Sequence, residues 1–259
     1  MLLAVVLIYV AVCVCAFFVA DSIIFQPHPS SYSDTPQILK IPSRDGQKIS
    51  ALYLPNESAR YTLLVSHGNA EDLGDIREWL DELRNAGFSV FAYDYEGYGT
   101  SEGKPSESAA YADESAAYDF LAIKLGTPPD HIIIFGRSVG TGPAVQLAMR
   151  RPAAALILQS PFLSAFRVLT RMPLLPFDRF PNYKRIAHVH CPVLIMHGTA
   201  DRVIGLWHGQ KLFELAHDPK QFIAVQGAGH NDFNPAVNQI YNRAMAEFAA
   251  SLDKSSAIR

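Results

Sequence analysis

The sequence predicts an α/β fold in one domain, a mostly parallel sheet covered by helices on both faces, behind an N-terminal membrane-spanning helix. Three observations predict it. From residue 61 to residue 252, short apolar runs alternate with longer segments of helical spacing, the pattern of strands joined by helical crossovers. The runs themselves, such as IIIF at 132–135, are too apolar to leave one face in water. Finally, residues 1–20 (MLLAVVLIYVAVCVCAFFVA) carry no charged side chain before Asp21.

About 20 apolar residues span the hydrocarbon core of a bilayer, so residues 1–20 read as an anchor or uncleaved signal-anchor. A buried core helix would be shorter and polar on one face. The rival is a cleaved signal peptide, with Val14 and Ala16 in the small-residue cleavage positions. Against cleavage, the segment has no basic n-region and the apolar run continues past that point. The first Lys or Arg after Asp21 is Lys40. The positive-inside rule then favours a cytoplasmic N-terminus with the body of the chain on the non-cytoplasmic side, on the α-amine alone.

Residues 21–36, polar and rich in Pro and Ser, read as a linker, and the domain occupies 37–252 with a tail at 253–259. Residues 37–41 and 48–54 flank Asp45-Gly46 and read as an opening hairpin. Strands follow at 61–65, 88–93, 132–135, 154–158, 193–196 and 222–225. Helices are expected at 73–85, 106–124, 141–150, 207–216 and 235–252, with Ser106 and Glu107 starting the second.

Of the 259 residues, 49% are apolar and 18% charged, which excludes a disordered chain. A net charge of -3 without a long basic run leaves nucleic-acid binding no electrostatic footprint. Cys13, Cys15 and Cys191 give no disulfide framework. His188, His190 and Cys191 look metal-like but are too cramped for a tetrahedral set, so no metal is expected.

Gly136-Arg137-Ser138-Val139-Gly140 matches Gly-x-Ser-x-Gly between an apolar strand and a small-residue helix, the context of a nucleophile elbow. The sharp turn needs small neighbours and aims the Ser138 hydroxyl off the carboxyl edge of the sheet. A serine hydroxyl needs a base. His230, in GAGHND, is the only one of nine histidines after the last strand, and elbow-bearing folds run Ser, acid, His in chain order. His67 and His197 read as structural hydrogen bonders. Asp201, just after the strand at 193–196, is the expected acid. Its rivals are Asp178, with no strand before it, and Asp232, too close in sequence to His230 to brace it. An oxyanion hole would draw one amide from Val139 and another from Asn69, or failing that Ala70, in the loop after 61–65.

The ordered segments SHGNAED, YDYEGYGTSEGKPSE, FGRSVGTGPA, SPFLSAFRV, FDRFPNYKRI, PVLIMHGTADRVI and GAGHNDF resemble the small α/β-hydrolase subfamily that includes the eukaryotic protein depalmitoylases. The resemblance covers residues 61–233. It implies the three-layer α/β-hydrolase fold, the same roles for Ser138, Asp201 and His230, and hydrolysis of esters or thioesters without a cofactor. The departure is N-terminal: the depalmitoylases carry a cysteine cluster for lipid attachment, and this chain has a spanning-length apolar run.

Only a short excursion separates the strands at 154–158 and 193–196, so the pocket should be open. Phe162, Leu163, Leu174 and Phe177 make that excursion apolar. They either pack it onto the core or line an acyl groove facing the bilayer. The expected substrate is an acyl ester or thioester, of a lipid or an acylated protein. A serine peptidase and a non-catalytic membrane-bound binding protein are the alternatives.

Overall fold

The computed structural model describes residues 1–232 and 234–256, the last three by backbone alone. Phe233 and residues 257–259, the end of the expected tail, lie outside the described residues.

The chain opens with helix α1 (Leu2–Ile24), then the antiparallel pair β1 (Ile38–Pro42) and β2 (Lys48–Leu54). Asp45 and Gly46 turn between them with φ of 52° and 78°. Then come β3 (Thr62–Ser66), α2 (Arg77–Asn85), β4 (Ser89–Tyr93), α3 (Glu107–Asp119), β5 (Ile132–Arg137) and α4 (Thr141–Arg150). They are followed by β6 (Ala155–Gln159), the short helices α5 (Ala165–Thr170) and α6 (Asn182–Arg185), and β7 (Val193–Gly198). The chain ends with α7 (Leu206–Leu215), β8 (Lys220–Val225) and α8 (Pro235–Ser256). The eight strands form one sheet in the order β1-β2-β4-β3-β5-β6-β7-β8. β2 runs antiparallel to β1 and β4, and every pair from β4 to β8 is parallel.

Period-two alternation builds the layers. Leu63, Val65, Ile133 and Phe135 point to one face, where Leu80 and Leu83 of α2 and Met245 and Phe248 of α8 cover them. Leu64, Ile132 and Ile134 point to the other, under Ala117 of α3, Ala144 and Val145 of α4 and Leu212 of α7. This is the three-layer arrangement, and its strand ends converge on one edge.

Several boundaries differ from the expectation. Helix α8 runs on to Ser256, into the expected tail, and β8 begins at Lys220. The helix expected at 73–85 begins only at Arg77, because Asp72 Oδ1 accepts the amides of Gly74 and Asp75 and winds that stretch into turns. The helix expected to 124 loosens to a π-turn over Phe120–Lys124. The apolar helix runs past residue 20 to Ile24, and Ala20 and Phe25 are buried. The stretch read as a linker is fastened to the body. Ser31 N donates to Asp72 Oδ2 at 2.8 Å, and Tyr32 Oη donates to Asp94. Those acids lie some forty to sixty residues away in the chain, out of reach of any local composition signal.

Outside its last turn, α1 is apolar on every side and almost wholly uncovered by the rest of the protein. It is one N-terminal helix long and apolar enough to cross a membrane.

Candidate active site

β5 runs straight into the Gly-x-Ser-x-Gly turn, where Ser138 takes φ of 51°, a left-handed conformation that costs a non-glycine residue energy. Close packing enforces it. A Cβ on Gly136 would meet Gly140 O at 2.5 Å and Ala144 Cβ at 2.7 Å, and one on Gly140 would strike the backbone of Ser66 and His67. Thr141 Oγ1 donates to Ser138 O at 2.7 Å and ties the turn to the start of α4.

The buried Ser138 Oγ lies 3.0 Å from His230 Nε2, and His230 Nδ1 lies 2.8 Å from Asp201 Oδ2. The structure thus brings together the three residues expected from sequence. Asp201 sits in the loop after β7, where its Oδ1 accepts Val203 N at 2.9 Å and Ile204 N at 2.8 Å. Burial works against its charge, but hydrogen bonds from His197 and His230 outweigh burial and hold the carboxyl well below the usual range. A carboxylate so held fixes the His230 tautomer with Nε2 free to take a proton from Ser138.

The rival acids are occupied elsewhere. Asp178 accepts Ser164 Oγ at 2.6 Å and Phe166 N at 3.2 Å, at the start of α5. Asp232 accepts Gly229 N at 2.7 Å and shapes the turn carrying His230. His67 Nδ1 donates to Gly68 O at 2.8 Å. His197 Nε2 donates to Ile204 O at 2.7 Å and lies 3.5 Å from Asp201 Oδ2, so it braces the acid's loop.

Val139, Asn69 and Ala70 border the same cleft as Ser138. The Asn69 side chain is committed: Nδ2 donates to Ile24 O at 2.7 Å, and Oδ1 accepts Gln26 N and Tyr98 Oη at 3.0 and 2.6 Å. Only its backbone amide could serve an oxyanion, and Ala70, at φ of 53°, remains the other choice.

The cleft has a volume of about 440 Å³, with Phe162, Val168, Leu169 and Ile204 on one side and Ile23 and Ile24 of α1 on the other. Of the expected substrate contacts, Phe162 is there. Leu163 is not: it is buried in the core, its amide donating to His208 Nδ1 at 3.2 Å. Burial, with His197 nearby, pushes the His208 imidazole down to about 4, so the neutral ring accepts that bond. Leu174 and Phe177 line an adjoining cavity instead, because α5 takes the cleft wall and the Pro-rich stretch beyond it passes to α1. A cleft of about 430 Å³ near Tyr61, Lys220 and Phe248 lies at the amino ends of the strands, away from the edge where such sheets bind ligands.

Sequence reasoning missed Arg137, Glu71, Ile23, Ile24 and Gln26, all beside this cleft or its loops. Arg137 was visible inside the elbow motif. No sequence signal places the end of α1 there. Among the described residues, His28, Asp72 and Asp75 have donor atoms within 4.8 Å of one another. His28 Nε2 already bonds Asp75, and Asp72 already accepts Ser31, so the trio fastens residues 26–36.

Known proteins share this arrangement of elements. The chain is 46% identical to alpha/beta hydrolase domain-containing protein 17B of Xenopus tropicalis over 191 residues, 72% of this chain and 66% of that one. It is 46% identical to protein 17C of Mus musculus over 179 residues, 68% of this chain and 56% of that one. The chain belongs to the α/β-hydrolase family. A family model described as serine aminopeptidase S33 matches residues 57–176. An esterase of Pyrococcus furiosus superposes with a TM-score of 0.71 at 17% identity, over 87% of this chain and 98% of that one. A monoacylglycerol lipase of Paleococcus ferrophilus gives 0.63 at 23%, over 79% and 99%. At that identity the two structures show a shared fold. The chain spans just under two thirds of the length of the 17B proteins and less of the 17C proteins.

Proposed function

We propose that this α/β-hydrolase is a membrane-anchored serine hydrolase that cleaves carboxylic ester or thioester bonds of acyl substrates through an acyl-enzyme. The observation that supports it is the hydrogen-bonded line Ser138–His230–Asp201, at 3.0 and 2.8 Å, in an apolar cleft. Ser138 Oγ attacks the acyl carbonyl carbon as its proton passes to His230 Nε2. The tetrahedral oxyanion forms toward the amides of Val139 and of Asn69 or Ala70. Collapse breaks the C–O or C–S bond, and the imidazolium returns the proton to the leaving alcohol or thiol. Water, activated by the same His230, then attacks the acyl-serine and frees the acid. Asp201 stabilises the imidazolium in both halves. No step calls for a metal or cofactor.

The family description leaves an aminopeptidase as the second reading. An aminopeptidase must hold a free α-ammonium, which calls for a carboxylate at the pocket. Among the described residues lining the cleft none is Asp or Glu, and most are apolar. Ester cleavage fits better. Helix α1 supports the anchor, since a helix apolar on every side and mostly uncovered by protein finds its match in lipid. The test is fluorophosphonate labelling of the purified full chain, followed by turnover of p-nitrophenyl esters, an acyl-thioester and aminoacyl-nitroanilides. Ester or thioester turnover with labelling supports the reading, and turnover of the anilides alone overturns it.

A further inference from the structure

The cleft over Ser138 and the cavity containing Leu174 and Phe177 share two lining residues, Ile23 of α1 and Leu169 of α5. The second cavity, about 170 Å³, is lined by Ala16 and Ala20 of α1 on one side and Phe166, Leu174 and Phe177 on the other. Its lining is apolar apart from Thr170 and Asp178. The stretch of helix from Ile23 to Ala16 that borders both spaces is about 10 Å long.

The helix is held in place along this length. Tyr9 Oη donates to Leu174 O at 3.0 Å, and the Phe17 and Phe177 rings meet edge to face at 5.5 Å. Arg179 Nη2 donates to Phe17 O at 3.2 Å, and its Nε lies 3.6 Å from Asp21 and 3.8 Å from Glu107. At the helix exit Phe25 is buried against Tyr95, Tyr98 and Phe180. The Tyr9–Leu174 contact falls about 22 Å along the axis from Ile24. The excursion therefore climbs beside α1 rather than stopping at its foot, and it carries the exposed apolar side chains of Leu169, Met172 and Leu174 with it.

We propose that the two cavities are one acyl-chain site, with the carbonyl at Ser138 and the chain passing between Ile23 and Leu169 to end against Ala16 and Ala20. The proposal rests on the serine-hydrolase reading above and goes beyond it. The membrane helix is a wall of the substrate site, and its small residues leave the room that sets chain length. Acyl chains enter sideways from the lipid in which α1 and the excursion tip stand. Alanine at residues 16 and 20 suits this role, since a larger side chain there would occupy the second cavity.

The experiment uses the full chain in vesicles and compares wild type with Ala16→Phe on p-nitrophenyl butyrate and p-nitrophenyl palmitate. Filling the second cavity should lower palmitate turnover at least about tenfold, since several methylenes lose their burial. Butyrate turnover should stay near wild type, which also reports that the variant is folded. Leu174→Ala, which enlarges the space, should shift the preference toward longer chains. Two parallel arms present the palmitoyl group as a monoacylglycerol and as an S-palmitoyl peptide, and the arm that shows the same selective loss names its source. An Ala16→Phe chain-length profile identical to wild type, or equal loss on both esters, overturns the acyl site and leaves the hydrolase reading standing. A wild type that neither labels nor turns over any ester or thioester would instead remove the hydrolase reading itself.

Discussion

Arg137 Nη1 sits 2.9 Å from both carboxylate oxygens of Glu71. The pair joins the residue before the nucleophile to the loop after β3, and both side chains are largely out of water, with 4% and 14% exposure. Glu71 Oε1 also accepts Gly68 N at 2.6 Å, so one carboxylate fixes the start of the loop carrying Asn69 and Ala70. The ion pair thus ties the elbow to the loop proposed to supply the second oxyanion amide.

Glu71→Gln should therefore lower turnover by loosening that loop against the elbow. Removing the charge of Glu71 weakens a largely buried ion pair, and breaking such a pair costs up to about 3–5 kcal/mol of stability. We expect a lower Tm and a kcat reduced about tenfold to a hundredfold. That is no more than the loss of an oxyanion donor outright, about 10² to 10³. KM should change less than kcat, because Gln keeps the size of Glu71 and the apolar residues of the cleft are untouched. A kcat within twofold of wild type, measured on an activated ester, would show that the loop holds its place without the pair.

Ser138→Ala should abolish fluorophosphonate labelling and ester turnover. Its Oγ makes its hydrogen bond to His230, so the fold should survive with an unchanged circular dichroism spectrum. Labelling retained by the purified variant would place the nucleophile elsewhere.

The sheet was legible because its strands are short, apolar and separated by turn residues, and the elbow because its glycines answer a local steric need. Asp201 and His230 followed from position after β7 and β8. The cleft walls were not legible. Phe162, Leu163, Leu174 and Phe177 look alike in sequence, yet they divide among the cleft, the core and a second cavity. What separates them is the turn into α5 at Ser164 and the packing against α1. The fastening of residues 26–36 depends on Asp72 and Asp94, a non-local pairing that no window of composition contains.

Two buried acids on α3 predict a pH dependence of stability. Burial pushes the Glu114 carboxyl up to about 8 from 4.5, and Asp113 to about 7 from 3.8, despite hydrogen bonds from Ser66 and Ser43. Between the unfolded and folded values the native state holds protons the unfolded chain has lost, so stability falls as pH rises. For Glu114 that window runs from 4.5 to about 8. Thermal melts should show Tm falling across it, and Glu114→Gln should flatten the slope while leaving the part due to Asp113. A slope unchanged in the variant would rule Glu114 out as its source.

The apolar α1 predicts that the full chain stays in the membrane fraction through a carbonate wash, its N-terminus intact. Ile23 and Ile24 line the cleft, so truncation of residues 1–25 should also impair ester turnover. N-terminal sequencing that starts at Phe17 would show a cleaved signal peptide instead.

The last prediction separates the acids. Asp201 Oδ2 accepts His230 Nδ1 at 2.8 Å, while its Oδ1 is held by two backbone amides. Asp201→Asn keeps the shape but presents either an amide N–H or a weaker acceptor to the imidazole, which then adopts the wrong tautomer. Such a change costs about 10⁴ in turnover in a serine protease. The loss should appear in kcat rather than KM, because Asp201 does not border the acyl cleft. Asp178→Asn removes a charge at the start of α5, where an amide oxygen can still accept Ser164 Oγ and Phe166 N. Its cost should be confined to a small drop in stability, about 1 kcal/mol or less, as for other changes at a helix cap. Steady-state kinetics of both variants on one ester, with circular dichroism as the control, decide the matter. If Asp178→Asn loses kcat and Asp201→Asn stays near wild type, His230 takes its orientation from an acid other than Asp201.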